Sequence, residues 1–139
     1  MKFKLDKGAI MPTKAYRGDA GIDLYSRETK TIKAHSSESF DTGVHVKIPK
    51  GTAGFLKSKS GLNVNHGITS DGGVIDYGYT GSIVVKLYNH SDIDYTVEAG
   101  NKISQLVIMQ ILTPAIEIVD QITYPDAERG DNGFGSSGV

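Results

Sequence analysis

The sequence contains no cysteine among its 139 residues, which excludes disulfides, thiolate zinc sites and a cysteine nucleophile. It also lacks an excess of basic residues, because fifteen lysines and arginines stand against sixteen aspartates and glutamates and the net charge is −1. Long nucleic acids bind basic surfaces that release counterions, so we expect no polynucleotide partner. No hydrophobic stretch approaches the length of a membrane span, and the N-terminus lacks the apolar core of a signal peptide. We therefore expect no membrane association and a cytoplasmic location, in the host cytoplasm if the source is viral.

Two common signatures of ligand sites are absent as well. The four histidines, His35, His45, His66 and His90, have none of the paired spacings that are typical of metal sites. No glycine run matches the phosphate-binding Walker pattern. A chain of this length fits one domain, and it shows no internal repeat.

The hydrophobic residues that are present alternate with a period of two, which predicts β-strands with one buried face. Two such sets are Val44, Val46 and Ile48, and Ile83, Val85 and Leu87. Between Ile103 and Leu112 both faces are largely apolar, with Ile103, Val107, Met109 and Ile111 on one face and Leu106, Ile108 and Leu112 on the other. This pattern predicts a central strand that is covered on both sides.

Glycine-containing turns separate the predicted strands, and no segment of ten or more residues shows a helical stripe. We expect at most one short helix, near residues 60–65, and an all-β fold of the sandwich or jelly-roll type. Residues 1–127 would form this β domain. Residues 128–139 are rich in glycine and contain a single aromatic residue, too little apolar mass to fold alone, so we predict a mobile C-terminal arm.

Five segments stand out together. They are Ala20-Gly-Ile-Asp-Leu24, Lys59-Ser-Gly-Leu62, Gly73-Val-Ile-Asp-Tyr-Gly-Tyr-Thr-Gly81, Gly100-Asn-Lys-Ile-Ser-Gln-Leu106 and Arg129-Gly-Asp-Asn-Gly-Phe-Gly-Ser-Ser-Gly138. In this order and spacing they resemble the five motifs of the homotrimeric dUTP diphosphatases (dUTPases), from about Pro12 to the end of the chain. The resemblance implies a distorted jelly-roll (β-clip) fold and the hydrolysis of dUTP to dUMP and pyrophosphate. That reaction limits uracil incorporation into DNA and supplies dUMP for thymidylate synthesis.

The second motif combines a cation, a hydroxyl and an unhindered backbone N–H in Lys59, Ser60 and Gly61. Such groups suit an anion, although Lys59 alone could equally be a solvated side chain and Ser60 a helix cap. The resemblance implies that these residues bind the phosphate chain, with help from Gln105. The family usually has arginine where Lys59 stands, so the charge is kept while the fork for bidentate phosphate contacts is lost.

The third motif resembles the family's uracil-binding hairpin, formed here by Gly73, Val74 and Ile75 and the residues after them. By resemblance, main-chain groups around Ser70, Gly73 and Val84 would hydrogen-bond the edge of the base. Tyr79 would lie under the deoxyribose and leave no room for a 2′-hydroxyl, so that ribonucleotides are rejected by excluded volume. Without the resemblance, Tyr79 is an ordinary strand aromatic.

Two carboxylates carry the predicted chemistry. By resemblance, Asp76 is the general base that activates a water for attack on the α-phosphorus. Asp23 would hold a Mg²⁺ ion through water while oxygens of the triphosphate coordinate the ion directly. Asn101 and Lys102 replace an acidic residue and an arginine that are more usual in the family, which we interpret as surface variation.

The arm would complete the site. By resemblance, Arg129 contacts the γ-phosphate, Phe134 stacks on the uracil ring, and Gly135, Ser136 and Ser137 contact phosphate. The arm would then act as a lid that closes over bound nucleotide. In the family, motifs from three chains meet at each site, so the resemblance also implies a homotrimer with shared active sites.

Two other functions remain open. A dCTP deaminase has a similar fold and hairpin, but its catalytic glutamate would fall at Lys86, and a lysine cannot act as that carboxylate. A trimeric interaction protein without catalysis would not need Asp23, Asp76, Gln105, Arg129 and Phe134, all of which are present.

Overall fold

The structure, a computed structural model, describes residues 1–126, 128 and 132. Within these residues the regular elements are one helix and eleven strands, and the strands pair in antiparallel fashion. The strands are β1 (Lys2–Leu5), β2 (Gly21–Tyr25), β3 (Lys30–Ile32), β4 (Ser37–Asp41), β5 (Val44–Lys47), β6 (Thr52–Lys57), β7 (Ile68–Asp71), β8 (Val74–Ile75), β9 (Val84–Asn89), β10 (Tyr95–Val97) and β11 (Lys102–Gln110). The helix is α1 (Ser60–His66). The predicted all-β fold with one short helix is confirmed.

The strands form four small sheets around one hydrophobic core. A four-stranded sheet has the order β2-β11-β6-β8, a three-stranded sheet has the order β4-β9-β7, and two-stranded sheets pair β1 with β5 and β3 with β10. Both alternating sets predicted from the sequence are buried in this core: Val44, Val46, Ile48, Ile83, Val85 and Leu87. Burial of these side chains is the main stabilising contribution to such a fold.

Strand β11 is central, as predicted, because it pairs with β2 on one side and β6 on the other. The sequence also predicted that both faces of this strand are covered as far as Leu112, and for the single chain this prediction is wrong. A register shift between Lys102 and Ser104 places the consecutive residues Ile103 and Ser104 both in the interior. The strand ends at Gln110, and Met109 near its end is half exposed.

After β11 the chain runs from residue 111 to residue 126 without regular structure. Four of its aliphatic side chains are largely exposed: Leu112, Ile116, Ile118 and Ile122. Such a run of exposed apolar side chains is unusual unless another surface covers it. The proposed boundary between domain and arm, 1–127 and 128–139, stays a prediction because most of the arm lies outside the described residues.

The described part of the chain contains no helix that is long and apolar enough to cross a membrane.

Candidate active site

The third motif forms a cavity of about 260 Å³ between β8 and the start of β9. Five of the residues that line it were predicted site residues: Val74, Ile75, Asp76, Tyr79 and Val84. Gly72 and Ser82 complete the lining. The structure therefore brings together the predicted base, the predicted sugar-contacting tyrosine and the predicted uracil hairpin.

The turn that shapes this cavity depends on glycine. Gly73 and Gly78 adopt φ values of 73° and 95°, which side-chain-bearing residues rarely tolerate. The Gly73 carbonyl accepts a hydrogen bond from Leu56 N at 3.3 Å, which ties the start of the turn to β6. Ile75 is the buried end of β8, and Asp76 is the first residue of the turn that follows it.

Tyr79 is fixed within the same turn. Its hydroxyl donates to the Ser82 carbonyl at 3.0 Å, and its N–H donates to the Asp76 carbonyl at 3.1 Å. A Cβ at Gly81 would collide with the Tyr79 ring, so glycine is needed for the ring to lie where it does. The ring is 46% exposed and is one wall of the cavity.

Asp76 itself is exposed, and no described residue donates a hydrogen bond to its side chain. The sequence places Asp76 directly after the apolar residues Val74 and Ile75, but only Ile75 is buried, while Val74 is half exposed. The carboxylate is therefore open to the cavity and available to orient a water molecule.

A second group of predicted residues centres on Asp23, which is only 5% exposed on β2. Lys59 Nζ lies 2.5 Å from Asp23 Oδ1, and Lys102 Nζ lies 2.7 Å from Asp23 Oδ2. Burial alone would raise the pKa of Asp23, but the hydrogen bonds from Lys102 and Lys59 outweigh it and hold the pKa below its ordinary value. Asp23 is thus an ionised carboxylate between two cations.

Lys102 is the residue that sequence reasoning missed. We interpreted it as surface variation, yet its ammonium pairs with Asp23, and this hydrogen bond raises the pKa of Lys102. One signal was present in the sequence. Asp23 stands between the apolar residues Ile22 and Leu24, and a buried carboxylate needs cationic partners.

Lys59 is also the N-cap residue of α1, with an extended backbone and no side-chain cap. Ser60 is therefore the first helical residue, not the cap that the alternative interpretation required. Ser60 and Gly61 are exposed at the start of the helix. Gly67 ends the helix in the left-handed conformation, and its N–H donates to Asn63 O at 2.9 Å.

Gln105 joins this second group from β11. It pairs in register with Asp23 on β2 and with Lys57 on β6, and its Nε2 donates to Ser58 O at 3.1 Å. A Cβ at Gly21 would collide with the Gln105 side chain. The glycine of the first motif thus leaves room for the glutamine of the fourth.

Ser70 contacts the same region. Its N–H donates to Ser58 Oγ at 2.8 Å, and Ser58 Oγ donates to the Ser70 carbonyl at 3.2 Å. Its hydroxyl lies 3.2 Å from Ser104 Oγ. Because Ser58 already uses the Ser70 N–H, a role for that group in base recognition stays a prediction.

The two groups are offset along β6. Ile75, which precedes Asp76, pairs with Gly54 in this strand, whereas Lys59 lies two residues after its last residue, Lys57. Arg129, Phe134, Gly135, Ser136 and Ser137 were predicted to complete the site, but they lie outside the described residues.

The family model for dUTPase matches residues 7–138. A deoxyuridine 5'-triphosphate nucleotidohydrolase from Clostridium novyi is 42% identical to this chain, with 98% of the chain and 96% of the relative covered. The protein of the same description from Yarrowia lipolytica is 39% identical, with 97% and 86% covered. The chain therefore belongs to the dUTPase family.

Solved structures agree with this assignment. The dUTPase of Staphylococcus bacteriophage 80alpha with dUPNHPP superposes with a TM-score of 0.90 at 32% identity, covering 99% of this chain and 98% of the phage protein. A mutant dUTPase of phage phi11 of S. aureus superposes with a TM-score of 0.80 at 27% identity, covering 88% and 98%. The phi11 structure concerns the coordination of a structural Mg(II) ion.

Proposed function

We infer that this chain is a dUTP diphosphatase, which hydrolyses dUTP to dUMP and pyrophosphate and so keeps uracil out of DNA. The observation that carries the inference is the cavity in which Asp76, Tyr79 and the hairpin residues meet. The inference is supported by family membership and by phage relatives whose structures hold the nucleotide dUpNHpp.

Asp76 is the general base in this proposal. Its open carboxylate accepts the proton of a water molecule as that water attacks the α-phosphorus, and pyrophosphate leaves. The cavity beside it holds the deoxyuridine part of the substrate. Val74, Ile75 and Val84 line the cavity around the base, and the Tyr79 ring fills the space that a 2′-hydroxyl would need. By the family resemblance, main-chain groups around Ser70, Gly73 and Val84 hydrogen-bond the edge of the base.

Lys59, Ser60, Gly61 and Gln105 bind the phosphate chain. Lys59 Nζ lies beside Asp23 Oδ1, and its ammonium has further N–H donors for a phosphate oxygen of dUTP. Lys102 also pairs with Asp23 and balances the charge of that carboxylate. Arg129, Phe134, Gly135, Ser136 and Ser137 close over the nucleotide from the arm.

Asp23 would hold Mg²⁺ through water. The described residues contain no cluster of three or more potential metal-binding side chains. A single buried carboxylate beside the phosphate-binding lysine nevertheless fits an ion that arrives with the triphosphate, since Mg²⁺ usually keeps its waters and binds one or two carboxylates plus substrate phosphates. The bound ion would neutralise charge on the phosphate oxygens.

The protein works as a homotrimer with shared sites. The hairpin that carries Asp76 pairs with Gly54 and Phe55 of β6, while Lys59 follows the last residue of that strand, Lys57. This offset fits a site that is shared between copies, which is the arrangement that the family resemblance implies. The exposed apolar side chains of residues 111–126 supply a surface that a neighbouring copy would cover.

A deaminase is the less supported alternative. Lys86 lies on β9 with its ammonium 5.3 Å from the centre of the Tyr88 ring, and no carboxylate stands at that position. Nothing in the described residues favours an interaction protein without catalysis over an enzyme. A cytoplasmic location also stays a prediction, and one relative, from Dictyostelium discoideum, is a mitochondrial protein.

One assay separates these functions. The purified protein is incubated with each nucleoside triphosphate and Mg²⁺, and pyrophosphate and ammonia are measured in parallel. A dUTPase releases pyrophosphate from dUTP and little from UTP or dTTP. Ammonia from dCTP would identify a deaminase, and no product from any nucleotide would identify a protein without catalysis.

A further inference from the structure

The turn from Asp76 to Thr80 has little packing of its own. All five of its residues are exposed. A second cavity, of about 470 Å³, is bounded by strands β1 and β5 and by residues 77–80. The turn therefore depends on a few polar contacts to hold Asp76 and Tyr79 in place.

One of these contacts comes from outside the site. His45 on β5 lies with Nδ1 2.7 Å from the Thr80 carbonyl and Nε2 3.0 Å from Asp6 Oδ2. A carbonyl only accepts, so Nδ1 must carry a proton to make the first contact. A neutral ring protonated at Nδ1 would then turn a lone pair toward the Asp6 carboxylate. Only the imidazolium donates to both partners at once.

Asp6 is held in turn by the strand next to His45. Lys4 is the cross-strand neighbour of His45, and its ammonium lies 3.4 Å from Asp6 Oδ1. The hydrogen bond from His45 lowers the pKa of Asp6. The bond to the Thr80 carbonyl, and then the one to Asp6, raises the pKa of His45 above its ordinary value of 6.5, while nearby Lys4 opposes the shift. Other titratable groups around the same cavity are Lys2, Lys47, Tyr77 and Tyr79.

We propose that His45 is a positioning residue, which in its doubly protonated form ties the turn carrying Asp76 and Tyr79 to Asp6 through the Thr80 carbonyl. The proposal rests on the proposed function only in that the turn carries the catalytic base. Because the pKa of His45 is raised by folding, the bridge is complete below the ordinary pKa and is lost as the pH rises through the raised value. Above that pH the ring can no longer donate to Thr80 and Asp6 at the same time.

The test compares the wild type with His45→Leu, which fills a similar volume without donors. The ratio of kcat, wild type to variant, is measured from pH 5.5 to 9. Effects of pH that are common to both proteins cancel in this ratio. We expect a ratio of about three- to tenfold at low pH, the size of one ordinary hydrogen bond, and a fall toward one as the pH rises. His45→Asn, whose amide can donate to Thr80, should restore part of the activity without this pH dependence.

His35→Asn is the matched control. His35 forms another histidine–carboxylate pair, with Asp92 at 2.8 Å, and has a positive φ of 53° that asparagine tolerates. No described contact joins it to the turn. Its ratio to the wild type should be constant with pH. If His45→Leu gives an equally constant ratio, His45 does not position the turn.

A second measurement needs neither substrate nor the proposed function. In NMR titrations of the resting protein, the amide shifts of Gly78 and Gly81 should follow the titration of the His45 ring. Asp6→Asn should move both titrations to lower pH, and this variant also serves if His45→Leu fails to fold. Amide shifts that ignore the His45 titration overturn the inference, whereas normal turnover by Asp76→Asn would overturn only the catalytic assignment.

Discussion

The carboxylates of Asp23 and Asp76 have opposite surroundings. Asp23 is 5% exposed and lies between two lysine ammonium groups, whereas Asp76 is exposed and receives no hydrogen bond from a described residue. A carboxylate that is already paired is a poor proton acceptor, while an open one beside a cavity can bind a reacting water. These environments fit the proposed roles of Asp23 as the residue that holds Mg²⁺ through water and of Asp76 as the base.

Asp76→Asn tests the role of base. The amide keeps the shape of the side chain and cannot accept the proton, so the variant should fold, trimerise and bind dUTP while turnover falls by about 100- to 10,000-fold. Pyrophosphate release and dUTP binding are measured on the same preparation. Asp92→Asn, at a carboxylate that is 95% exposed, is the control. Near-normal turnover in Asp76→Asn would remove Asp76 from the mechanism.

Lys59→Arg tests the phosphate contact. Arginine restores the fork that the family usually has, and a bidentate contact to phosphate is stronger than the single contact of an ammonium. We expect kcat/KM for dUTP to be unchanged or raised. Lys57→Arg, at an exposed lysine two residues earlier on β6, controls for the general effect of arginine. A large loss in Lys59→Arg alone would mean that the pocket, including the pair with Asp23, is shaped around lysine.

At the scale of the elements, the sequence predicted the strands in which buried and exposed residues alternate. The alternation at residues 44–48 and 83–87 identified β5 and β9 correctly, and the single helix was expected within one residue of its end. Strand β11 departs from the predicted alternation because its register shift near Lys102 breaks the period of two, so that two consecutive residues turn inward. Such bulges depend on pairing with other strands and leave no local pattern.

The candidate site was predictable to a similar extent. Motif resemblance located the residues of the hairpin, and the structure places five of them around one cavity. It could not locate Lys102 beside Asp23 or His45 beside Thr80, because these contacts join residues distant in sequence. They are set by the register of β11 on β2 and by the packing of β5 against the turn.

The C-terminal arm is an element whose removal is informative. Ending the chain after Glu128 should leave a stable trimer, since the deleted residues contain one aromatic side chain and little else for a core, but turnover should nearly vanish without Arg129 and Phe134. Size-exclusion chromatography checks the oligomeric state, thermal unfolding checks the stability, and pyrophosphate release checks the turnover. A full-length Arg129→Ala/Phe134→Ala variant controls for chain length and should be similarly inactive. Normal turnover by the shortened chain would contradict the lid assignment.

At the scale of the whole molecule, the proposed homotrimer requires that one chain provides two half-sites for different copies. The hairpin with Asp76 pairs with the middle of β6, and Lys59, which pairs with Asp23, follows the C-terminal end of that strand. In a closed ring of three copies, each hairpin can meet the phosphate-binding residues of a neighbour. Burial of the exposed apolar residues after β11 would favour association of the copies.

Shared sites predict that two inactive variants complement each other. In a trimer mixed from Asp76→Asn chains and chains ending at Glu128, about one site in three should join an intact Asp76 from a shortened chain to an arm from an Asp76→Asn chain, by the symmetry of the closed ring. Both mixing ratios, two to one and one to two, produce that single competent site. Activity should therefore follow the fraction of mixed trimers and not the amount of either parent.

The experiment refolds the two variants together, confirms mixed trimers by native mass spectrometry and measures pyrophosphate release from dUTP. Each variant refolded alone is the control and should stay inactive, because all its sites carry the same defect. Activity in the mixture cannot come from a site built within one chain, since no chain in it has both Asp76 and the arm. If mixed trimers form and release no pyrophosphate, Asp76 and the arm act from the same chain, and the proposed sharing of this pair between copies is wrong.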